Sequence, residues 1–186
     1  MSDSARALPL SQPVRVETIK PRGTHIVVRP EGSALVGLAR ALDLPSIEAL
    51  EARYELARNG ERVKLEGEIA AQLHQTCIIT LEAFPVSIKL PVKLDFAPEA
   101  EVLAAARREE EDEKKGEIDI EVMLNEEDPP EPIIDGMIDL GAITLEFLAL
   151  GLDPYPRKPG VSFEAQVDDP ALASPFAALA KLKRGE

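Results

Sequence analysis

The chain has 186 residues, 34 Asp+Glu against 21 Lys+Arg, and a formal charge of −13, a length that suits one domain with at most a small appendage. At this size folding buries about 70% of the unfolded surface, and a single cysteine excludes a disulfide framework and a multi-cysteine zinc site. With no Trp, five Phe and two Tyr, the core is aliphatic and a broad stacking platform for single-stranded nucleic acid is excluded.

In chain order, residues 13–19 read as a strand, Pro21, Arg22 and Gly23 as a turn, and residues 25–28 as a short β-branched strand. A helix follows, with Ser33 as its cap and Leu35, Leu38, Ala39 and Leu42 as its apolar stripe. Pro45 bars its continuation beyond Leu44. Residues 46–58 fit two periodicities: Ile47, Leu50 and Tyr54 suit a helix, whereas Leu50, Ala52, Tyr54 and Leu56 suit a strand. Asn59-Gly60 decides for a hairpin, because tight hairpin turns need positive φ. After it, Val63, Leu65, Gly67, Ile69, Ala71 and Leu73 alternate with polar residues. Ile88, Leu90, Val92, Leu94 and Phe96 form the cleanest alternation in the chain, and Pro91 within it marks an edge or an irregularity. Residues 99–108 suit a short helix, and Ile118, Ile120, Val122 and Leu124 a further strand. A helix over about 140–150 has Asp139 as its cap, Leu140, Ile143, Phe147 and Leu150 as its core stripe, and Gly151 as its left-handed end. Pro154, Pro156, Pro159 and Pro170 indicate an extended tail, and Ser174-Pro175 opens a possible last helix. The sum is an α+β domain over 1–151, a largely antiparallel sheet or partly open barrel of about five or six strands with one or two packed helices. Residues 152–186 are the tail.

The charge is concentrated. Residues 99–131 carry 14 acids and 4 bases, net −10, which leaves −3 for the rest. The run Glu109, Glu110, Glu111, Asp112 and Glu113 therefore reads as part of a mobile, solvated insertion over about 99–116, or as a contact for a basic partner. Basic residues form small groups: Arg15, Lys20, Arg22 and Arg29; Arg157 and Lys158; Lys181, Lys183 and Arg184. Each group suits phosphate contact, although the overall charge opposes non-specific nucleic-acid binding.

Catalytic patterns are sparse. His74 and Cys77 are three residues apart, which places them on opposite faces of a continuing strand. Nothing in the sequence implies a pocket around the paired carboxylates, and neither a phosphate-binding glycine loop nor a serine-hydrolase elbow is present. No run approaches the 18 apolar residues of a membrane span, and Met1 to Leu10 lacks a signal-peptide pattern. No cofactor, metal or small-molecule substrate is expected, and the cytoplasm is the expected compartment.

Four segments in order resemble the YceD family of bacterial large-subunit ribosomal RNA accumulation proteins, in its alphaproteobacterial style. They are Cys77-Ile78-Ile79-Thr80-Leu81-Glu82; Asp135-Gly136-Met137-Ile138-Asp139-Leu140-Gly141, running on to Glu146; Leu152-Asp153-Pro154-Tyr155-Pro156-Arg157-Lys158-Pro159-Gly160; and the closing stretch from Ser174 to Lys183. The resemblance implies a non-enzymatic role in accumulation or processing of 23S rRNA, with precursor rRNA or large-subunit ribosomal proteins as partners and no catalytic residues. Many relatives carry further cysteines, where this chain has Thr80 and residues 153–160, so no zinc site is carried over. The contact candidates are Arg157, Lys158, Lys181, Lys183 and Arg184 toward RNA, and the 109–113 acids toward a basic protein. The alternative is an acidic protein–protein adaptor without RNA contact.

Overall fold

The computed structural model describes residues 9–115 and 129–162. Its elements are strand β1 (Pro13–Arg15), a 3-10 turn (Val16–Thr18), β2 (Thr24–Val28), α1 (Ser33–Ala41), β3 (Ser46–Asn59), β4 (Arg62–Thr76), β5 (Ala83–Pro98), α2 (Glu99–Lys115), β6 (Glu131–Ile133), β7 (Met137–Asp139) and α3 (Leu140–Gly151). The main sheet is open, in the order β2-β3-β4-β5-β6, and β1 and β7 form a separate two-stranded ribbon. All neighbours are antiparallel except β5 and β6. The fold is α+β. No helix among the described residues is long and apolar enough to cross a membrane.

The long β3–β4–β5 meander organises the core. Its register stacks Leu56, Leu65 and Leu94, then Tyr54, Gly67 and Val92, then Ala52, Ile69 and Leu90 in rows on one face, and α3 and the N-terminal segment cover that face. The opposite face carries Arg53, Glu68 and Pro91 in one row and Glu55, Glu66 and Lys93 in the next. That is the one-sided alternation expected of a half-buried antiparallel sheet. The double periodicity of residues 46–58 has a structural cause. A bulge leaves Glu48 without a partner between Ile47 and Ala49, so Ile47 and Leu50 both face the core. The turn to β4 is made by Gly60 and Glu61, with Gly60 at φ 65°. Positive φ at the first central position is the type II′ arrangement, one residue later than Asn59-Gly60 suggests.

The outer edge of β5 explains Pro91. The Cys77 N–H donates to the Glu82 carbonyl, and the register from Thr76↔Ala83 to Val63↔Phe96 is unbroken. Even-numbered N–H groups of β5 therefore point to β4, and odd-numbered ones point outward. Pro85 and Pro91 are both odd. Their missing donors fall on the side where, among the described residues, only β6 pairs, at Phe96–Pro98. With Lys89 and Lys93 exposed beside them, they discourage pairing with foreign strands.

Several local expectations are corrected. The first strand ends at Arg15 and a 3-10 turn follows. There the Thr18 hydroxyl donates to the Arg15 carbonyl, and Val16 and Ile19 both reach the core. Gly32, at φ 55°, precedes α1 in place of a Ser33 cap. That helix closes in a Schellman motif: Leu44 N–H donates to Ala39 O, and Asp43 takes φ 53°. The short helix expected over 99–108 is present and runs further than expected, through Lys115, so that it includes the 109–113 acids. Ala, Glu, Arg and Lys are strong helix formers, and Glu99 and Glu101 favour the helix N-terminus. The strand at 118–124 and the helix from Ser174 lie outside the described residues.

In α3 the buried residues are Leu140, Gly141, Ile143, Thr144 and Leu148, while Leu150 is exposed. The helix is apolar nearly all round, so spacing alone does not select its inner face. Gly151 ends α3 for contact, with no left-handed turn: a Cβ there would lie 2.4 Å from Leu90 Cδ1. Thr144 donates to the Leu140 carbonyl at 2.6 Å and accepts from Tyr54 Oη at 2.8 Å, tying helix to sheet. Tyr54→Phe should cost roughly 1 kcal/mol in urea unfolding, because the Thr144 donor stays paired. A change below 0.3 kcal/mol would show that this bond adds nothing over its hydration.

Candidate functional site

The loop between β4 and β5 is where two of the family-like segments meet. Residues 77–82 close the hairpin through Cys77 N–H to Glu82 O and Leu81 N–H to Cys77 O, each 2.9 Å. Leu81 takes φ 58° and is 78% exposed. After α3 the chain crosses this loop. Gln75 Nε2 donates to Asp153 O at 3.0 Å, Ile78 N–H to Pro156 O at 2.9 Å, and Lys158 N–H to Cys77 Sγ at 3.4 Å. Lys158 Nζ pairs with Glu82 at 2.9 Å. Asp153 turns its own carboxylate onto the Tyr155 N–H.

Cys77 is fully buried. The backbone N–H of Lys158, then the hydroxyl and N–H of Thr80 and the N–H of Ile79, hold its thiol at about 6 against the upward push of burial. His74 lies elsewhere. Its Nδ1 meets Ser46 Oγ at 3.0 Å and Glu48 Oε1 at 3.1 Å. Both contacts fall on the same ring nitrogen, so no Ser–His–acid proton relay forms, which would need opposite nitrogens. Among the described residues no group of three His, Cys, Asp or Glu side chains is placed to hold a metal.

Of the RNA-contact candidates, Arg157 and Lys158 are exposed on this crossing segment, between Pro156 and Pro159. Lys158 is already engaged by Glu82, so Arg157 is the less committed cation. Lys181, Lys183 and Arg184 lie outside the described residues. Glu109, Glu110, Glu111, Asp112 and Glu113 fall on α2, far in sequence from the Cys77 loop. In the N-terminal basic group, Arg29 pairs with Glu51, and Arg15 lines a cavity of about 530 Å³ that also holds Glu17, Arg58 and Glu61. Neither place is a basic patch. Sequence reasoning gives no individual role to Gln75, Ile78, Leu81, Glu82 or Tyr155, although all but Gln75 lie inside the resembling segments.

The second resembling segment is architectural. Asp135 and Gly136, at φ 51° and 68°, make a type I′ turn bridged by Ile134 and Met137. Asp139 caps α3 by accepting from Gly141 and Ala142 N–H through Oδ1. The same carboxylate takes Gln12 N–H at 2.7 Å and the Ser11 hydroxyl at 2.6 Å. No protein-family model matches the chain, and no curated protein or solved structure matches it either.

Proposed function

We propose that the chain is a non-enzymatic ribosome-biogenesis factor that supports accumulation or processing of 23S rRNA. It binds precursor rRNA or a basic large-subunit ribosomal protein in the cytoplasm. The observation that carries this reading is the ordered set of four YceD-like segments. Two of them pack together, and Arg157 is exposed on the segment that crosses the Cys77 loop. Arg157 and the Lys181, Lys183 and Arg184 cluster are the RNA-contact candidates, and Lys158 joins them where its pairing with Glu82 is given up. The near-neutral body leaves local basic groups free of a repelling background, while the acidity is collected around α2.

The second reading, an acidic adaptor without RNA contact, is favoured by α2 itself, which presents five consecutive acids on one helix. Co-sedimentation of the full chain with large-subunit precursors separates the two. RNA contact should weaken steeply between 50 and 200 mM salt and vanish after nuclease treatment. Arg157→Ala should reduce the bound fraction several-fold with its fold unchanged. Migration only in the free fraction at low salt refutes the ribosomal reading and leaves the adaptor, whereas salt-dependent but nuclease-resistant co-sedimentation points to the ribosomal protein as the partner.

A further inference from the structure

We propose that residues 153–160 form a releasable strap across the end of the sheet, opening as a unit while the β3–β4–β5 core stays folded. None of these residues belongs to the buried core, and only Pro156 is even partly covered. The preceding Leu152 does pack on the core, so the strap has a fixed root. Its anchors are the polar contacts from Gln75, Cys77, Ile78 and Glu82. All come from one short stretch of chain, and all are groups that water satisfies once the strap leaves. Pro154, Pro156 and Pro159 restrict the backbone between them, so the segment moves as a body. Gly160, at φ 81°, follows directly.

Opening has two consequences. It uncovers Cys77, which is 0% exposed. It also removes one wall of a cavity of about 740 Å³, where Asp153, Pro154 and Pro156 face Leu42, Leu44 and Pro45. The apolar residues of that cavity and the Lys158 ammonium then become available together. The strap does not rest on the RNA reading of Arg157, since opening is measured with no RNA present.

Cys77 is the only thiol in the chain, so iodoacetamide reports opening without interference. The thiolate displaces iodide, forming a C–S bond as the C–I bond breaks. In the full chain under native conditions, alkylation should run faster than exchange of the slowest β4 amides and slower than that of a free thiol. Glu82→Gln should speed it about 2- to 5-fold, the range of an exposed ion pair. Gln75→Ala should speed it about tenfold. The charge swap Glu82→Lys with Lys158→Glu should restore the original rate. Exchange of the Ile78 and Lys158 amides should rise in step with alkylation, and both should depend far less on urea than global unfolding does. Alkylation that tracks global unfolding in every variant overturns the proposal, and so does a wild-type rate equal to that of a free thiol. Glu82 is exposed, so its variant keeps the test open even where Gln75→Ala does not fold.

Discussion

Gly67→Ala is expected to destabilise the protein by roughly 3 kcal/mol, at the upper end of what an inserted methyl costs in a packed core. A Cβ at Gly67 would lie 2.4 Å from the Arg53 carbonyl oxygen and 2.6 Å from Tyr54 Cδ1. The first obstacle is backbone, held in the central ladder by the pairing of β3 with β4, so it does not move aside. The second is a buried ring that lies across the glycine and whose hydroxyl is bonded to Thr144. The glycine is thus the space into which the largest core side chain of the meander folds. Gly37→Ala is the matched control. Its Cβ meets only Pro9 Cβ at 3.9 Å within α1, and removing a helix-interior glycine should stabilise by about 0.5–1 kcal/mol. Equilibrium urea unfolding measures both. A cost at Gly67 below 1 kcal/mol would mean that Tyr54 does not occupy this position.

Asp139→Ala should cost roughly 2–3 kcal/mol. A lost N-cap accounts for about 0.5–2 kcal/mol of this, and the lost contacts to Ser11 and Gln12 for about 0.5–1.5 kcal/mol each at most. Asp139→Asn keeps the Oδ1 acceptor and should cost about 1 kcal/mol or less. Burial pushes the Asp139 carboxyl up, but the bonds from Ser11, Gln12, Ala142 and Gly141 together outweigh it and hold the group below the usual carboxylate range. A depressed folded value stabilises above the unfolded value and stops doing so as pH falls through the folded one. The gap between wild type and Asp139→Asn should therefore be flat from pH 7 to about pH 5 and close below about pH 4. A gap that stays constant down to pH 3 would show that the charge of Asp139 plays no part. The same alanine variant should raise proteolysis around Ser11 and Gln12, because Asp139 supplies two of the bonds that hold this stretch to α3, and its loss leaves, among the described residues, only the one from Leu140 N–H to Gln12 O.

Much of the fold was legible because its signals are local. Period-two alternation over Val63–Leu73 and Ile88–Phe96 marked β4 and β5, and Pro91 marked an edge. Asp139 announced a helix start through its own capping chemistry. The harder places share one origin, that spacing does not say what lies opposite. Ile47 and Leu50 fit helical spacing as well as a strand because a bulge shifts the face by one residue, and it is Asn59-Gly60 that decides, correctly, for the strand. Gly151 looked like a helix cap, yet it is required by Leu90, a residue 61 positions earlier. The candidate site was legible only in its parts. Cys77 and residues 153–160 were each noted, but their contact closes a loop of about 80 residues, through Cys77 and Lys158, and no local pattern encodes such a contact.

The amino-acid sequence alone determined the class of the fold, the run of long strands, the collection of negative charge in one segment and the absence of a multi-cysteine site. These follow from composition, periodicity and single-residue conformational limits, each acting within a few residues. Only the tertiary structure decided that the proline-rich segment lies against the Cys77 loop, that Glu82 occupies Lys158, and that Asp139 holds the N-terminal segment as well as its own helix. Those pairings are settled by which surfaces the packed sheet brings within hydrogen-bond reach, a property of the whole chain rather than of any stretch of it.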